Sequence, residues 1–403
     1  MAPKLRFKGF VSEWEGIRLQ DVASKIKDKN KDNSIATVLT NSATLGIVDQ
    51  KSYFEREIVT DVNLTGYYIV ELGDFIYNPR ISITAPVGPI KMNCFGKGIM
   101  SPLYTVFRFK NNNTRFYKYY FESSAWHNYI KNVSNSGARH DRMNISTSDF
   151  FALPIFQPTL EEQTKIADFL SSIDEKITLL NKQYDLLCQY KKGMMQKIFS
   201  QELRFKDENG GEFPEWNSCQ LRDVSTRITR KNKENNQTIL TISGRDGLVD
   251  QMSYFNKQIA SKNVSGYYLI NNGEFAYNKS YSHGYPMGAI KMLNNYDKGV
   301  VSTLYICFEL NTNQSNSFYQ HYFESGLQNR SIEKVAQEGA RNHGLLNIGV
   351  NDFFDIELQI PSLKEQIKIA DFLTALDDKI TTKKAELDKL KTWKQGLLQQ
   401  MFV

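Results

Sequence analysis

The sequence predicts an α+β fold of two tandem sheet-rich domains joined by two long helices. The first observation is an internal repeat, because many short motifs recur about 200 residues later in the 403-residue chain. The second is that each copy changes halfway from a strand-like to a helix-like apolar pattern. The third is that both helical segments carry heptad spacing, which favours an antiparallel coiled coil. Such a chain would have pseudo-twofold symmetry.

The repeat sets the predicted boundaries. Matching motifs include Trp14 and Trp216, Val48-Asp49-Gln50 and Val249-Asp250-Gln251, Gly66-Tyr67-Tyr68 and Gly266-Tyr267-Tyr268, and Tyr120 to Ser123 and Tyr322 to Ser325. The predicted segments are a first sheet domain over residues 1–158, a central helix over 159–200, a second sheet domain over 201–361 and a C-terminal helix over 362–403.

Each sheet domain is rich in β-branched and aromatic residues between turn signals. Short runs such as Phe75-Ile76-Tyr77 and Leu103 to Phe107 favour strands, and Leu72-Gly73-Asp74 is typical of a turn. Helical patches are expected around Arg115 to Val133. The second copy gives the same pattern over about residues 212–360.

Each long helix has a predicted start and a predicted seam. Thr159 with Glu162 fits a capping box, and Ser362 with Glu365 repeats it. Apolar residues then alternate at spacings of four and three, as in a coiled coil. Lys191 and Lys394 interrupt the two seams at equivalent positions. A polar seam residue fixes register, and the alternative is a lysine that bends its head out to water.

The length of the helices suggests a spacer. At about 1.5 Å per residue each would span roughly 60 Å, whereas one DNA turn is about 34 Å. The paired helices would then set the gap between two half-sites. The alternative is an ordinary structural hairpin or a dimerisation stalk.

Composition narrows the class of protein. The apolar content of 41% is typical of a globular chain, and the net charge of +6 permits nucleic-acid binding without arguing for it. The four cysteines and five histidines show no metal or disulfide spacing. There is no signal-peptide pattern and no apolar run long enough to span a membrane, so a reduced, cytoplasmic protein is expected.

No catalytic constellation is found. Asn78-Pro79-Arg80 approaches the Asn-Pro-Pro-aromatic motif of an adenine methyltransferase but lacks the second proline and the aromatic residue. Asp174-Glu175-Lys176 and Asp377-Asp378-Lys379 match half of a nuclease site, yet they lie on the predicted helices and are expected to be solvated faces. The chain is therefore predicted to recognise a partner without catalysing a reaction.

Recognition is predicted where the two copies differ. Pro79 to Pro86 faces Lys279 to Pro286, and Asn41 to Thr44 faces Ser243 to Asp246, within otherwise similar frames. Polar and basic loop residues supply phosphate and base contacts, although neutral drift in surface loops is the alternative. The predicted DNA contacts in and beside these loops are Asn78, Arg80, Ser82, Thr84, Arg245, Asn278, Lys279, Ser280, Tyr281 and Tyr285. Elements that the two copies share add Arg139 and Arg341, from Gly137-Ala138-Arg139 and Gly339-Ala340-Arg341, and Lys91 and Lys291 as candidate phosphate contacts.

The helix motifs resemble a known family. Glu162-Gln163 with Lys165 to Leu170, and Glu365-Gln366 with Lys368 to Leu373, resemble the specificity subunit of type I restriction-modification systems. The resemblance covers essentially the whole chain. It implies that the sheet domains are target recognition domains that read the two halves of an asymmetric DNA site, and that the helices set the gap.

The resemblance also implies partners. Two methyltransferase subunits and two restriction/translocase subunits would join this chain, and S-adenosylmethionine, ATP and Mg would be bound by those partners. The apolar helix ends are expected to be exposed without a partner. The predicted partner contacts are Phe169, Met194, Met195, Phe199, Phe372, Leu397, Leu398 and Phe402. The alternatives are a self-contained DNA adenine methyltransferase with degenerate motifs and a coiled-coil scaffold without DNA function.

Overall fold

The computed structural model describes residues 2–54, 64–111, 113–136, 141–255, 264–336 and 346–403. The chain forms two compact units. The first unit comprises Met1–Lys182 and Ala385–Val403, and the second comprises Gln183–Lys384. Each unit therefore contains one sheet domain, one part of the central helix and one part of the C-terminal helix.

The first copy contains twelve strands and six helices among its described residues. The strands are β1 (Glu15–Arg18), β2 (Ala23–Lys25), β3 (Val38–Ser42), β4 (Gly46–Asp49), β5 (Tyr68–Val70), β6 (Phe75–Tyr77), β7 (Ile90–Met92), β8 (Gly98–Met100), β9 (Thr105–Phe109), β10 (Asn135–Ser136), β11 (Met143–Asn144) and β12 (Pro154–Gln157). The helices are α1 (Leu19–Val22), α2 (Gln50–Phe54), α3 (Thr114–Glu122), α4 (His127–Val133), α5 (Thr147–Phe151) and α6 (Leu160–Phe199).

The second copy repeats this order among its described residues, apart from the β10-β11 pair. Its strands are β13 (Asn217–Gln220), β14 (Ser225–Ile228), β15 (Leu240–Ser243), β16 (Gly247–Asp250), β17 (Tyr268–Asn271), β18 (Phe275–Asn278), β19 (Ala289–Met292), β20 (Lys298–Val301), β21 (Ile306–Leu310) and β22 (Glu357–Ile360). Its helices are α7 (Leu221–Val224), α8 (Gln251–Phe255), α9 (Asn316–Ser325), α10 (Asn329–Val335), α11 (Val350–Phe354) and α12 (Leu363–Met401).

The sheets confirm the predicted repeat. In the first unit one sheet has the order β2-β9-β6-β7 and another the order β4-β3-β8-β5, in which β3 and β8 are parallel. In the second unit β14-β21-β18-β19 corresponds to the first of these sheets. The β15-β16 and β17-β20 pairs correspond to the other sheet of the first unit, β4-β3-β8-β5. A parallel bridge from Ile239 to Val300 joins these two pairs. The α+β class is therefore confirmed.

The repeated tryptophans lie where sheet and helix meet. Trp14 packs edge-on against Phe402, the residue that follows α12, with ring centroids 6.4 Å apart. Trp216 makes the same contact with Phe199, the last residue of α6, also at 6.4 Å. Both tryptophans are buried in aromatic cores. The end of one long helix thus completes the core of the sheet domain that belongs to the other repeat.

The two long helices pack in an antiparallel manner within each unit. In the first unit Ile166, Leu170 and Ile173 of α6 share a core with Leu397 and Leu398 of α12. In the second unit Ile369, Leu373 and Leu376 of α12 share a core with Met195 and Ile198 of α6. The predicted seams are therefore used, and burial of this apolar stripe stabilises helices that are marginal alone.

The prediction that the apolar helix ends are exposed is wrong. Leu398 is fully buried, and Met195, Phe199, Leu397 and Phe402 are also buried within their own units. They fill the space beneath the sheet domains, so their side chains are core residues and not a surface for a partner. The three half-buried members also pack within the chain: Phe169 on Phe7 and Trp393, Phe372 on Phe205, and Met194 against the second core.

The capping boxes are only partly correct. The helices begin at Leu160 and Leu363, directly after the predicted caps. The Glu162 carboxylate, however, is fully buried and accepts two 2.7 Å bonds from Arg6. Glu365 accepts the equivalent pair from Arg204, at 3.2 and 2.8 Å. These glutamates join each helix to the segment before its sheet domain, because a buried carboxylate needs a charged partner.

Both seam lysines form ion pairs, and the pair in the second unit is the more exposed of the two. Lys394 Nζ lies 2.6 Å from Asp174 and 2.8 Å from Glu122. Lys191 Nζ lies 2.5 Å from Asp377, the residue equivalent to Asp174. The alternative of lysine heads in water is therefore wrong. The expectation of a solvated face holds for Glu175, Lys176, Asp378 and Lys379, which are exposed, whereas Asp174 and Asp377 form ion pairs and Asp377 stays 39% exposed.

Candidate nucleic-acid interface

A cleft in the first unit brings the two divergent loops together. Its volume is about 520 Å³. Its lining includes Asn41 to Ala43 from one loop and Asn78 to Ser82 from the other, together with Arg142 near the start of β11. Four aromatic residues complete the wall: Tyr53, Phe54, Tyr67 and Tyr104.

The floor of the cleft is held by two asparagines. Asn41 Nδ2 donates to the carbonyl oxygens of Ile76, at 2.8 Å, and Pro89, at 3.2 Å. Asn78 Nδ2 donates to the Asn41 carbonyl at 3.2 Å, and its Oδ1 accepts from the Arg80 amide at 3.0 Å. Asn78 therefore fixes the point at which the second loop leaves β6, while its own side chain is half-buried.

The rim presents the charged and hydroxyl side chains. Arg80 and Arg142 are exposed, and their backbones form an antiparallel bridge. Ser82 and Ala85 close a tight turn with backbone bonds of 3.0 and 3.2 Å, which leaves Ser82 and Thr84 exposed at its tip. Two guanidinium groups beside a polar turn can contact phosphate oxygens or guanine edges.

The aromatic wall is common to both units. Tyr53 and Phe54 form an edge-on pair with ring centroids 4.8 Å apart, and Tyr254 and Phe255 repeat it at 4.9 Å. All four rings are 40% or more exposed. Thr40 and Tyr104 are bonded through their hydroxyls at 3.2 Å, as their equivalents Thr241 and Tyr305 are at 3.4 Å. Exposed aromatic faces of this kind can stack on bases or pack on sugars.

Some of these residues were not predicted from the sequence. Arg142, Tyr53 and Tyr104 line the cleft, but none was among the candidates. The repetition of Ser52-Tyr53-Phe54 in the second copy was a usable signal, since a shared exposed aromatic pair has no packing reason to persist. Arg142 had no such signal in the sequence, because it is only in the folded chain that Arg142 lies beside Arg80.

The second unit arranges its predicted residues differently. Arg245 has 88% of its side chain exposed and lies 3.3 Å from Asp246, and Tyr281 is 63% exposed. Asn278 and Ser280 are half-buried, and Asn278 Oδ1 accepts from the Ser280 amide at 3.0 Å. These four residues stay predicted DNA contacts, together with Asn78, Arg80, Ser82 and Thr84.

Three predicted lysines are half-buried or buried. Lys291 is only 9% exposed and forms an ion pair with Glu324. Lys279 Nζ donates to the Ile348 carbonyl at 3.0 Å. Burial lowers the pKa of Lys91, against the opposing charge of Glu122. The prediction that Lys291 contacts a phosphate is therefore wrong, and Lys279 supports its own loop. Lys91 is half-buried and stays a predicted contact.

Two further corrections concern the loops. The structure pairs Ser42 with Gly46 and Ser243 with Gly247, so Ser42 is equivalent to Ser243 and Ala43 to Gly244. The predicted alignment of Asn41 with Ser243 is therefore shifted by one residue. Arg139 and Arg341, with their neighbouring glycines, lie outside the described residues.

No group of three or more His, Cys, Asp or Glu side chains in the described part of the chain is placed to hold a metal ion. Among the helices that the structure describes, none combines the length and apolar character needed to cross a membrane.

The two units share one arrangement of strands and helices but carry different polar loops. This combination defines a class of tandem recognition proteins. Comparison with known families is more specific. Residues 11–189 and 197–392 each match the type I restriction modification DNA specificity domain. The chain belongs to this family and carries its domain twice.

Individual relatives agree with this assignment. The chain is 23% identical to the putative type I restriction enzyme MjaX specificity subunit of Methanocaldococcus jannaschii, over 96% of this chain and 92% of that protein. It is 26% identical to the MjaVIII specificity subunit of the same organism, over 53% of this chain and 49% of that protein.

Solved structures share the fold. The crystal structure of the type I restriction-modification S subunit from M. genitalium covers 100% of this chain and 99% of its own, with 14% identity and a TM-score of 0.56. A chain from a study of complex assembly and conformational transition in a type I system covers 97% and 98%, with 13% identity and a TM-score of 0.53.

Proposed function

We propose that this chain selects the DNA target of a type I restriction-modification complex and reads a bipartite, asymmetric site. Each unit would read one half-site through its two divergent loops. The observation that supports this most directly is the cleft of the first unit, which gathers Arg80, Arg142 and the Ser82 turn beside exposed aromatic rings. Unlike loops on like frames would recognise unlike half-sites.

Catalysis would belong to partner subunits. Under this proposal methyltransferase subunits bind S-adenosylmethionine and modify adenine, and restriction subunits use ATP and Mg. This chain would contribute only the recognition of the DNA sequence. Two copies of each partner are proposed, in keeping with the two repeats.

The first test is a genome-wide map of methylated adenine with and without the gene. Loss of one bipartite, non-palindromic motif on deletion would support the proposal and reveal both half-sites and their gap. Persistence of every motif, in cells where the chain co-purifies with a methyltransferase, would show that it does not direct methylation. Methyl transfer to DNA by the purified chain alone would instead indicate a self-contained enzyme.

Replacement of Arg80 by alanine should relax one half-site. Arg80 is exposed at the cleft rim, so its loss should leave the fold intact. Removal of one base contact typically costs about 1–3 kcal/mol, or roughly 5- to 150-fold in discrimination. Binding of the full complex to cognate and single-mismatch duplexes would measure this.

The matched control is Arg115→Ala, which removes the same charge from α3, where Arg115 pairs with Asp168 at 2.7 Å. Equal effects of the two variants on binding would indicate a general charge effect and would contradict the placement of Arg80 at the DNA.

Insertion of one heptad into both long helices should lengthen the preferred gap. Seven residues add about 10 Å to each helix and keep the apolar seam in register. A length of about 10 Å along DNA corresponds to about three base pairs. Methylation mapping in cells that carry the lengthened chain would give the new gap. An unchanged gap with efficient methylation would rule out the spacer role, and insertion into α6 alone, which breaks the pairing, is the control for misfolding.

A further inference from the structure

Tyr285 connects three parts of the second unit. It closes the turn Ser282–Tyr285, in which Gly284 has a φ of +84° and the backbone bonds are 2.8 and 3.3 Å long. Its hydroxyl lies 2.7 Å from the Gly244 carbonyl oxygen, in the other divergent loop. The same hydroxyl lies 2.5 Å from Glu324 Oε1, at the end of α9. One side chain therefore ties both recognition loops to the core of the unit.

Lys291 contacts both the hydroxyl and the ring of this tyrosine. Lys291 Nζ donates to the Tyr285 hydroxyl at 2.7 Å, lies 4.5 Å from the ring centroid and forms an ion pair with Glu324. The hydroxyl accepts from the lysine and has one proton to donate, to Gly244 or to Glu324. Burial, and then Glu324, raise the pKa of Tyr285, so the hydroxyl keeps that proton at neutral pH.

The contact with Gly244 is fitted to the absence of a side chain. A Cβ atom built on Gly244 would lie 2.8 Å from Tyr285 Cε2. Carbon atoms do not approach this closely without displacement, so any larger residue at this position would move the ring or the loop. The two divergent loops are thus matched to each other as well as to whatever they bind.

The first unit has the same turn but no residue equivalent to Tyr285 in its contacts. Ser82 and Ala85 make the corresponding backbone bonds, but alanine replaces the tyrosine. Glu122, equivalent to Glu324, is bonded at 2.8 Å to Lys394 of α12. Glu122 therefore stabilises the helix pair in the first unit, whereas its equivalent Glu324 stabilises the turn Ser282–Tyr285 in the second.

We propose that Tyr285 is a positioning residue for base selection by the second unit, and that the Tyr285–Glu324–Lys291 cluster fixes the turn 279–286 against the loop 243–246. This inference rests on the proposed function. A pre-positioned loop discriminates bases because a mismatched duplex cannot be accommodated by moving the side chains that contact it. The first unit, with Ala85, would set its turn by other contacts.

The test is adenine-methylation mapping in the source cells with the chromosomal variant Tyr285→Phe in the full chain. The ring remains, while the hydroxyl and its contacts with Gly244, Glu324 and Lys291 are lost. Discrimination should fall about tenfold at one or more positions of a single half-site, as expected when one hydrogen-bonding group is removed. The other half-site and the gap should be unchanged. Gly244→Ala, which displaces the ring, should relax the same half-site.

Tyr319→Phe is the matched control. It removes a buried hydroxyl of the same unit that is bonded at 3.0 Å to Gln314, a residue outside both loops. If Tyr285→Phe leaves both half-sites unchanged, or lowers methylation of all sites as much as Tyr319→Phe does, Tyr285 has no positioning role. Failure of the proposed function is a different result, because the unmodified chain would then direct no bipartite motif. Arg80→Ala should relax the half-site that Tyr285→Phe leaves intact.

Discussion

Replacement of Arg6 by methionine is expected to destabilise the first unit by about 3–5 kcal/mol, the range found when one partner of a buried ion pair is removed. The Glu162 carboxylate is fully buried, and the Arg6 side chain is 14% exposed. Arg6 also donates to the Ser12 carbonyl at 2.7 Å, so it secures the chain entry to the unit as well as the start of α6. Without the guanidinium, the Glu162 carboxylate would remain buried without its charged partner.

Denaturant unfolding combined with hydrogen exchange would measure this effect and locate it. Exchange should increase at the start of α6 and in β1 and β12, while the second unit keeps its protection. Arg204→Met should give the reciprocal pattern, because Arg204 holds Glu365 in the second unit.

Arg115→Met is the control, since Arg115 and Asp168 are about half exposed and such pairs contribute about 1 kcal/mol or less. If Arg6→Met costs no more than Arg115→Met, the buried pair is not the anchor that its geometry indicates.

The fold was largely predictable because its signals are local or repeated. Heptad spacing and the prolines before Thr159 and Ser362 placed both helices, which begin at Leu160 and Leu363. The role of Glu162 was not predictable, since its partner Arg6 lies 156 residues earlier in the chain. A glutamate at the third position of a helix fits a capping box equally well, and only the tertiary contact decides between the two.

The candidate site was predictable only as a region. Divergence between the copies located the two loops that meet in the cleft, because residues in the common frame have packing partners that must be kept. Divergence could not separate exposed residues from buried ones. Tyr285 and Lys291 have the polarity of DNA contacts, yet both are bonded to Glu324, which lies more than 30 residues further along the chain.

The ion pairs of the helix seam also show why equivalent residues can differ in effect. Lys394 contacts both Asp174 and Glu122, and its side chain is 11% exposed. Lys191 contacts Asp377, whose side chain is 39% exposed. His321 lies 3.9 Å from Asp377, and burial, followed by the charge of Lys191, lowers its pKa to about 4. This histidine is therefore neutral at pH 7 and adds no charge to the pair.

Lys394→Met is accordingly expected to destabilise the first unit by about 3 kcal/mol at pH 7, because two half-buried carboxylates lose their shared cation. Lys191→Met should cost the second unit less, about 1 kcal/mol, since water can screen Asp377. Urea unfolding of the full chain, with hydrogen exchange to assign the loss to a unit, would compare them. Equal losses would contradict the argument from burial.

The pH dependence gives an independent check. Burial alone would raise the pKa of Asp174, but the hydrogen bond and charge of Lys394 outweigh it and the pKa is lowered. Burial alone would lower the pKa of Lys394, but Glu122 and Asp174 raise it. A lowered acid pKa stabilises above its unfolded value of about 3.9, and a raised lysine pKa stabilises below about 10.4. The difference in unfolding free energy between the native chain and Lys394→Met should thus be constant from about pH 5 to 9. It should shrink as the pH falls through the Asp174 pKa, and a difference that persists unchanged at pH 2 would mean that packing of the lysine stem, and not its charge, stabilises the seam.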